Sequence, residues 1–302
     1  MAINEKRYIS NRLYTIWLAK FIDYIKVLPH FFLPQLTLTN LAGILANVRL
    51  PIIKNILIRL FIQRYDVNMG EAIEENFTKY NCFNDFFIRH LKPHCRVLAD
   101  CDIVAPVDGY LSELGHINSG KILQVKGHFY NIDELLACEL SLSRQFVNGC
   151  FATFYLSPKD YHRVHLPIAA TLNSMIYVPG KLFSVQPITV RVIPFLFARN
   201  ERLVMFFTTR VGLMAIIFVG ATMVGTIGTR WHGDLKRSPQ KRYFSVADFD
   251  NLAVGQGEEL GYFKLGSTVI LLFANNKMVH WLPTLSSGQS ICYGQALANI
   301  PS

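Results

Sequence analysis

The sequence predicts an α+β fold, with N-terminal amphipathic helices followed by a β-rich domain. Three observations carry this. Apolar residues recur at helical spacing through residues 12–28 and 51–65. After Pro93 the chain breaks into short runs of β-branched and aromatic residues punctuated by Gly and Pro. No internal repeat or low-complexity stretch interrupts this order, and 302 residues leave room for one large domain or two modest ones.

Taken in order, residues 12–28 place Leu13, Trp17, Leu18, Phe21, Ile22, Tyr24, Ile25 and Leu28 on one half of a helical wheel, with Thr15, Asp23 and Lys26 on the other. The stretch from Val27 to Val48 carries no Lys, Arg, Asp or Glu. Pro29 and Pro34 break it, and His30, Gln35 and Asn40 dilute it, so it is not read as a transmembrane span. Residues 51–65 form a helix after Pro51, with Asn55, Arg59 and Gln63 as a narrow polar stripe. Asp66 to Asn81 is a polar connector, and 83–89 a short helix anchoring onto the next domain. The change of character falls between about 70 and 95. It divides a helical, membrane-associating region, 1–80, from a β-rich domain, 81–302.

Within the second part, Val104 to Leu111 reads as strand, turn, strand with Asp108-Gly109 as the turn. Small loops come next around Gly115 and Lys126-Gly127, then a helix over 135–147 and a strand over 151–156. Val211 to Thr229 is apolar and uncharged, but Gly212, Gly220, Gly225, Gly228 and its β-branched residues favour two buried strands with a turn near Gly220. Near the C-terminus, Gly261 to Phe273 reads as a turn leading into a buried strand.

Composition narrows the partners. Hydrophobic residues make up 51% of the chain and charged ones 17%, with a net charge of +9; mean hydropathy is +0.26 and the pI about 9.3. Basic and apolar together favour an anionic membrane surface over nucleic acid. The six cysteines are scattered without a CxxC pair, which argues against a zinc site or a disulfide framework and suits a reducing compartment. The start, Met1 to Arg7, does not read as a signal peptide.

The chemistry-bearing stretch is Gly266-Ser267, where turn becomes strand. Glycine leaves its carbonyl unshielded, and a strained Gly–Ser peptide with a base nearby is open to attack by the serine on the preceding carbonyl. A base and its orienting acid are available from His162 and His165 with Asp108 or Asp160. Taken singly, His162 and His165 are better explained as structural or surface histidines than as catalytic ones, and an Asp-Gly pair is usually only a turn. His162 and His165 are spaced as a helical metal pair would be, but Pro158 and Pro167 disfavour a helix and no third ligand is evident. The sequence around Ser267 does not fit the G-x-S-x-G nucleophile elbow.

Leu265-Gly266-Ser267-Thr268, with Tyr161-His162-Arg163-Val164-His165-Leu166-Pro167 and Pro106-Val107-Asp108-Gly109, closely resembles the phosphatidylserine decarboxylase family, prokaryotic type. Val125-Lys126-Gly127, Leu182 to Val185, Leu196 to Arg202 and Val219-Gly220-Ala221 extend the resemblance from about Asn11 to the end. Ala170 and Gln186 depart from the family pattern, away from the reacting residues. The resemblance implies a proenzyme that makes its own cofactor. His165, held by Asp108, would take the proton of Ser267, whose oxygen attacks the Gly266 carbonyl to give an ester. Elimination and loss of ammonia would leave a covalent pyruvoyl group at position 267, heading an α chain, 267–302, beside a β chain, 1–266. The pyruvoyl would form a Schiff base with the substrate amine and serve as electron sink. His162 would reprotonate the carbon, with Asp160 a weaker helper. The implied reaction converts phosphatidylserine to phosphatidylethanolamine and CO2 at the cytoplasmic face of the cell membrane, by a peripheral enzyme expected to be a homodimer. Three rivals predict otherwise: a spanning membrane protein, a Ser-His-Asp hydrolase that leaves its chain intact, and a lipid-binding module indifferent to loss of Ser267.

Overall fold

The computed structural model describes residues 21–301 apart from 33, 126, 127, 223–225, 246, 248, 251 and 265. Positions 12–20 of the first expected helix, the Lys126-Gly127 loop and Leu265 lie outside these. The architecture is α+β. Its centre is an antiparallel sheet that runs, in spatial order, Arg242–Ser245, Ala170–Val178, Arg202–Thr209, Gly212–Val219, Ser267–Phe273, Cys150–Leu156, Gly109–His116 and Gln289–Ile291, with Ala253–Val254 added beside Ala170–Val178. The strand Ser267–Phe273 is interior, paired from Ser267↔Leu156 to Phe273↔Cys150 on one side and from Thr268↔Val219 to Phe273↔Met214 on the other. All seven of its residues are buried. Because successive side chains point to opposite faces, both faces of the sheet are covered here. Each buried aliphatic side chain stabilises the fold by roughly 1.5–3 kcal/mol.

A smaller sheet has the order Gly233–Asp234, Thr226–Thr229, Glu259–Lys264 and Arg163–His165. The chain leaves it at Lys264 and enters the large sheet at Ser267, so Gly266 sits at the seam between the two. The run Val211 to Thr229 gives two strands, Gly212–Val219 and Thr226–Thr229, one in each sheet, as the glycine spacing predicts.

The N-terminal part is helical over 21–27, then Pro29–Phe32, Gln35–Ala46 and Pro51–Tyr65. No single helix among the described residues is long and apolar enough to cross a membrane; Gln35–Ala46 and Pro51–Tyr65 meet at a bend of 114°. Helix Pro51–Tyr65 packs Ile58 and Phe61 onto the short helix Phe83–Phe87, with Phe61 edge-on to Phe83, Phe86 and Phe87. Lys54 is buried on the same helix, its Nζ donating to Thr78 O at 2.7 Å and Asn55 Oδ1 at 2.9 Å. Asp23 reaches the body through an ion pair with Arg191 at 3.0 Å.

Four sequence expectations differ from the structure, the first being the turn read from Gly261, which lies instead within the paired strand Glu259–Lys264. Asp108-Gly109 is not a hairpin turn, since Ile103–Val104 pairs with Ala296–Asn299 while Gly109–His116 pairs with Cys150–Leu156 and Gln289–Ile291. The glycine serves close approach instead: a Cβ there, at φ +148°, would stand 2.2 Å from Tyr155 O. Gly115 lies within a strand, not a loop. The helix expected over 135–147 is broken into Ile132–Leu136, Leu140–Ser143 and a 3₁₀ turn Arg144–Phe146. Ala137 turns left-handed at φ +49°, and buried Arg202 takes the freed carbonyls of Glu134 and Leu135 at 2.5 and 2.7 Å.

Candidate active site

Ser267 opens the central strand with its side chain fully buried, and its Oγ has no hydrogen-bond partner among the described residues. An unpaired buried hydroxyl costs on the order of 1–3 kcal/mol and calls for an explanation. Gly266 before it has φ +44°, and a Cβ built there would meet nothing within 4 Å. Both residues line a cavity of about 120 Å³ whose wall includes Tyr155, Leu156, Pro158, Ser184, Phe87, and Phe61 and Tyr65 from the N-terminal helix. A reactive peptide would need features of this kind: a residue without a side chain before the bond and a hydroxyl with no other partner among the described residues.

His165 ends the strand Arg163–His165, anchored by its own N–H to Pro106 O at 2.8 Å. Its Nδ1 lies 2.9 Å from Gly257 O, and a carbonyl only accepts, so Nδ1 carries the proton. Nε2 is therefore the basic atom and accepts from the Tyr161 hydroxyl at 3.1 Å. The Tyr293 ring stacks on the imidazole at 3.8 Å between centroids and 18° between planes. Burial pulls the His165 pKa down to about 4, so the ring is neutral and able to take a proton.

Asp108 is buried at the seam between Pro106 and Gly109, with both oxygens engaged. Arg96 Nε donates to them at 3.0 and 3.1 Å and Arg96 Nη2 at 2.5 Å, while the Tyr293 N–H reaches Oδ1 at 2.8 Å. Arg96 also pairs with Glu71 of the connector at 3.0 Å. Among the described residues, no hydrogen bond or ion pair joins Asp108 to His165, or either of them to Ser267. What connects the first two is Tyr293, by its main chain to Asp108 and by its ring to His165.

His162 lies closer in connectivity to Ser267. Its Nε2–H donates to Ser157 O at 3.1 Å, and Ser157 follows Leu156, the cross-strand partner of Ser267. Its ring stacks on Phe87 at 4.2 Å, a wall of the serine's cavity. The ring is fully buried, Nδ1 lacks a partner among the described residues, and burial with the nearby charge of Arg89 lowers its pKa to about 3. Asp160 closes the same turn, accepting from Ser157 N at 2.7 Å; burial raises its pKa to about 6. The two histidines are thus committed to different carbonyls, Ser157 and Gly257, rather than to a shared ion.

Arg96, Tyr161, Gly257 and Tyr293 are functional neighbours that the sequence motifs do not mark individually. Tyr161 carries a signal of sorts, being inside the proton-handling segment 157–167. Nothing local marks Tyr293, whose importance comes from what folds against it.

Comparison with known proteins points to one family. A family model described as Phosphatidylserine decarboxylase matches residues 83–299, and a second one, described as PSD, matches 25–66. A protein of Legionella pneumophila (strain Lens) named "Phosphatidylserine decarboxylase proenzyme" is 55% identical over 281 residues, 93% of this chain and 99% of its own. One with the same name from Acidovorax ebreus (strain TPSY) is 45% identical over 279 residues, 92% of this chain and 98% of its own.

Proposed function

Because the chain belongs to the phosphatidylserine decarboxylase family, we propose that this decarboxylase converts phosphatidylserine to phosphatidylethanolamine and CO2 at a membrane surface, after cutting itself between Gly266 and Ser267. The observation that carries the self-cleavage reading is the buried Ser267 Oγ, without a partner among the described residues, beside Gly266 at the head of the central strand. In this reading His165 Nε2 takes the hydroxyl proton, Asp108 stabilises the charged ring that results, and the Ser267 oxygen replaces the amide nitrogen on Gly266. Tyr293 bridges Asp108 and His165, and among the described residues neither is hydrogen-bonded to Ser267.

The site fits the covalent group that would result. Position 267 lies in a partly open, mostly apolar cavity, and the pairing of Ser267–Phe273 on both sides would hold the new chain end in place after the cut. A pyruvoyl group there would supply the electron sink for loss of the carboxylate. His162 is the proposed proton donor to the carbon left behind: the Nε2–H now given to Ser157 O would pass on its proton as Nδ1, without a partner among the described residues, takes one up. Asp160 assists: with a pKa of about 6 it keeps a share of its protons near neutrality.

The reading assigns 1–80 as the membrane-associating region and 81–302 as the catalytic domain. Phe32, Ile44, Leu50 and Ile52 are 63–80% exposed on the N-terminal helices. Lys181 and Arg199 line a cavity of about 540 Å³ between those helices and the body, where lipid phosphates would be attracted. Phe61 and Tyr65 extend the same helical region to the wall of the Ser267 cavity, giving a lipid headgroup a short route to the reacting atoms. Peripheral attachment at the cytoplasmic face of the cell membrane and a homodimeric assembly belong to the same proposal.

Intact mass under denaturing conditions tests the cleavage. Two chains are expected, the smaller lighter than a serine-headed peptide by the difference between serine and pyruvoyl. Ser267→Ala is expected to give one uncleaved chain without lipid decarboxylase activity. An unbroken wild-type chain that decarboxylates phosphatidylserine would overturn self-processing while leaving the reaction in place.

A further inference from the structure

The residue that touches both Asp108 and His165 lies downstream of the cleavage site. Tyr293 is in the last turn of the chain, and three of its groups are used: the N–H on Asp108 Oδ1 at 2.8 Å, the ring on His165, and the hydroxyl on Gly257 O at 2.7 Å. The third contact matters because Gly257 O also accepts the His165 Nδ1–H. Ring and hydroxyl therefore act on the same imidazole, one through its face and the other through the carbonyl that fixes its tautomer.

Tyr293 is itself held. Cys292 N donates to Gln295 Oε1 at 2.7 Å, and Ala105 N to Gln295 O at 2.7 Å. Gly294, next in the chain, has φ +85° with its N–H on Ala105 O at 3.0 Å, and a Cβ there would stand 2.8 Å from Val97 O. The turn cannot slide without breaking these bonds, so the tyrosine ring is a fixed wall. An imidazole has a broad, soft torsion about its last bond and needs such a wall to keep one edge aimed.

We propose that Tyr293 is a positioning residue for the self-cleavage base: its ring and hydroxyl hold His165 in the tautomer that leaves Nε2 the basic edge, while its main chain holds Asp108. This rests on the reading that His165 takes the proton of Ser267. The segment that bears the nucleophile, 267–302, then also carries the residue that aims its base. Reaction geometry is sensitive to such aim, since misplacing a catalytic group by about 1 Å can slow a step by about a hundredfold.

The test uses a short cell-free pulse of the full chain, chased across a pH series and read as precursor and cleaved chains. Tyr293→Phe keeps the stacked face and should process within about threefold of wild type, the loss of one shared hydrogen bond. Tyr293→Leu fills the space without a flat ring and should be slower by about tenfold or more at every pH. Tyr293→Ala should be slow and should also have its acid limb about one pH unit higher, because water then reaches one face of the ring. The other groups facing His165 are Tyr161, which stays in place, Glu259, which favours the charged ring, and Arg163 and His90, which oppose it.

Melting of each variant in a Ser267→Ala background separates misaim from misfolding, and a variant that has lost its fold leaves the Leu and Phe pair to decide. Leu and Ala variants that process at the wild-type rate with an unmoved acid limb, while His165→Ala stays uncleaved, would overturn the role of Tyr293. Wild-type processing by His165→Ala would instead remove the base assignment, and the proposal with it.

Discussion

The central strand Ser267–Phe273 and the helix Pro51–Tyr65 are both strongly apolar, yet the fold treats them in opposite ways. Every residue of the strand is buried. Its polar side chains are the exceptions, Ser267 Oγ and Thr268 Oγ1 both lacking partners among the described residues. The helix buries Ile58 and even Lys54, yet leaves Ile52 76%, Ile56 52% and Leu60 57% exposed, one turn apart along a single face. In the strand, hydrophobicity is consumed by folding. In the helix it is left over, on a face that the described fold does not cover.

The largest stability effect should come from the strand. Leu271 is fully buried, with a paired neighbour on each side. In the uncleaved Ser267→Ala background, Leu271→Ala should lose about 2–5 kcal/mol. Urea unfolding would show this as a lower midpoint at unchanged slope. A loss under about 1 kcal/mol would mean that the strand is not a close-packed centre of the fold.

Burial in the body also sets a pH dependence. Burial holds His162 at about 3 and His165 at about 4, below the usual 6.5. Between those values and 6.5 the unfolded chain binds more protons than the folded one, so stability rises with pH and is complete above about 6.5. Asp160 acts in the opposite sense. Its pKa is raised from 3.8 to about 6, so between these values the folded state binds the extra proton and stability falls as pH rises. Two histidines against one carboxyl give a net loss on acidification from 6.5 towards 4. In the same Ser267→Ala background, His162→Gln should flatten that loss by about 1–3 kcal/mol and Asp160→Asn should steepen it by about 1–2. Unfolding midpoints across the range check both, and an acid profile unchanged by either substitution would contradict the burial of these groups.

Much of this contrast is legible before folding. A run such as Thr268 to Phe273 has little choice but to be an interior strand, and Pro51 with its helical periodicity marks a helix. The misreadings share one cause, which is that the deciding partner lies far along the chain. Asp108-Gly109 carries the local signature of a hairpin, but the glycine answers to Tyr155 O. Nothing about Ala137 announces a left-handed residue, and the arginine that satisfies the broken helix is Arg202. The chemistry-bearing residues draw notice as proton-handling types near a Gly–Ser junction. Arg96 and Tyr293 do not, because a lone arginine after Cys95 and a tyrosine in a turn have no pattern until Asp108 and His165 are set against them.

The smallest effect on stability should come from the helix face, and it sharpens the contrast most. Ile52 and Ile56 already stand in water, and serine is close to isoleucine in helix propensity, so the double change to Ser should alter stability by no more than about 0.5 kcal/mol. Attachment to vesicles containing anionic lipid should respond differently. Each isoleucine fully inserted into the interface is worth roughly 1.5–3 kcal/mol, so losing two should lower partitioning by about a hundredfold or more. Flotation with and without added salt separates this from the attraction of Lys181 and Arg199, since salt weakens only the latter. Unchanged flotation would leave the exposed face without a lipid role. A loss of more than about 1 kcal/mol of stability would mean instead that another protein surface, such as a second copy of the chain, already covers it.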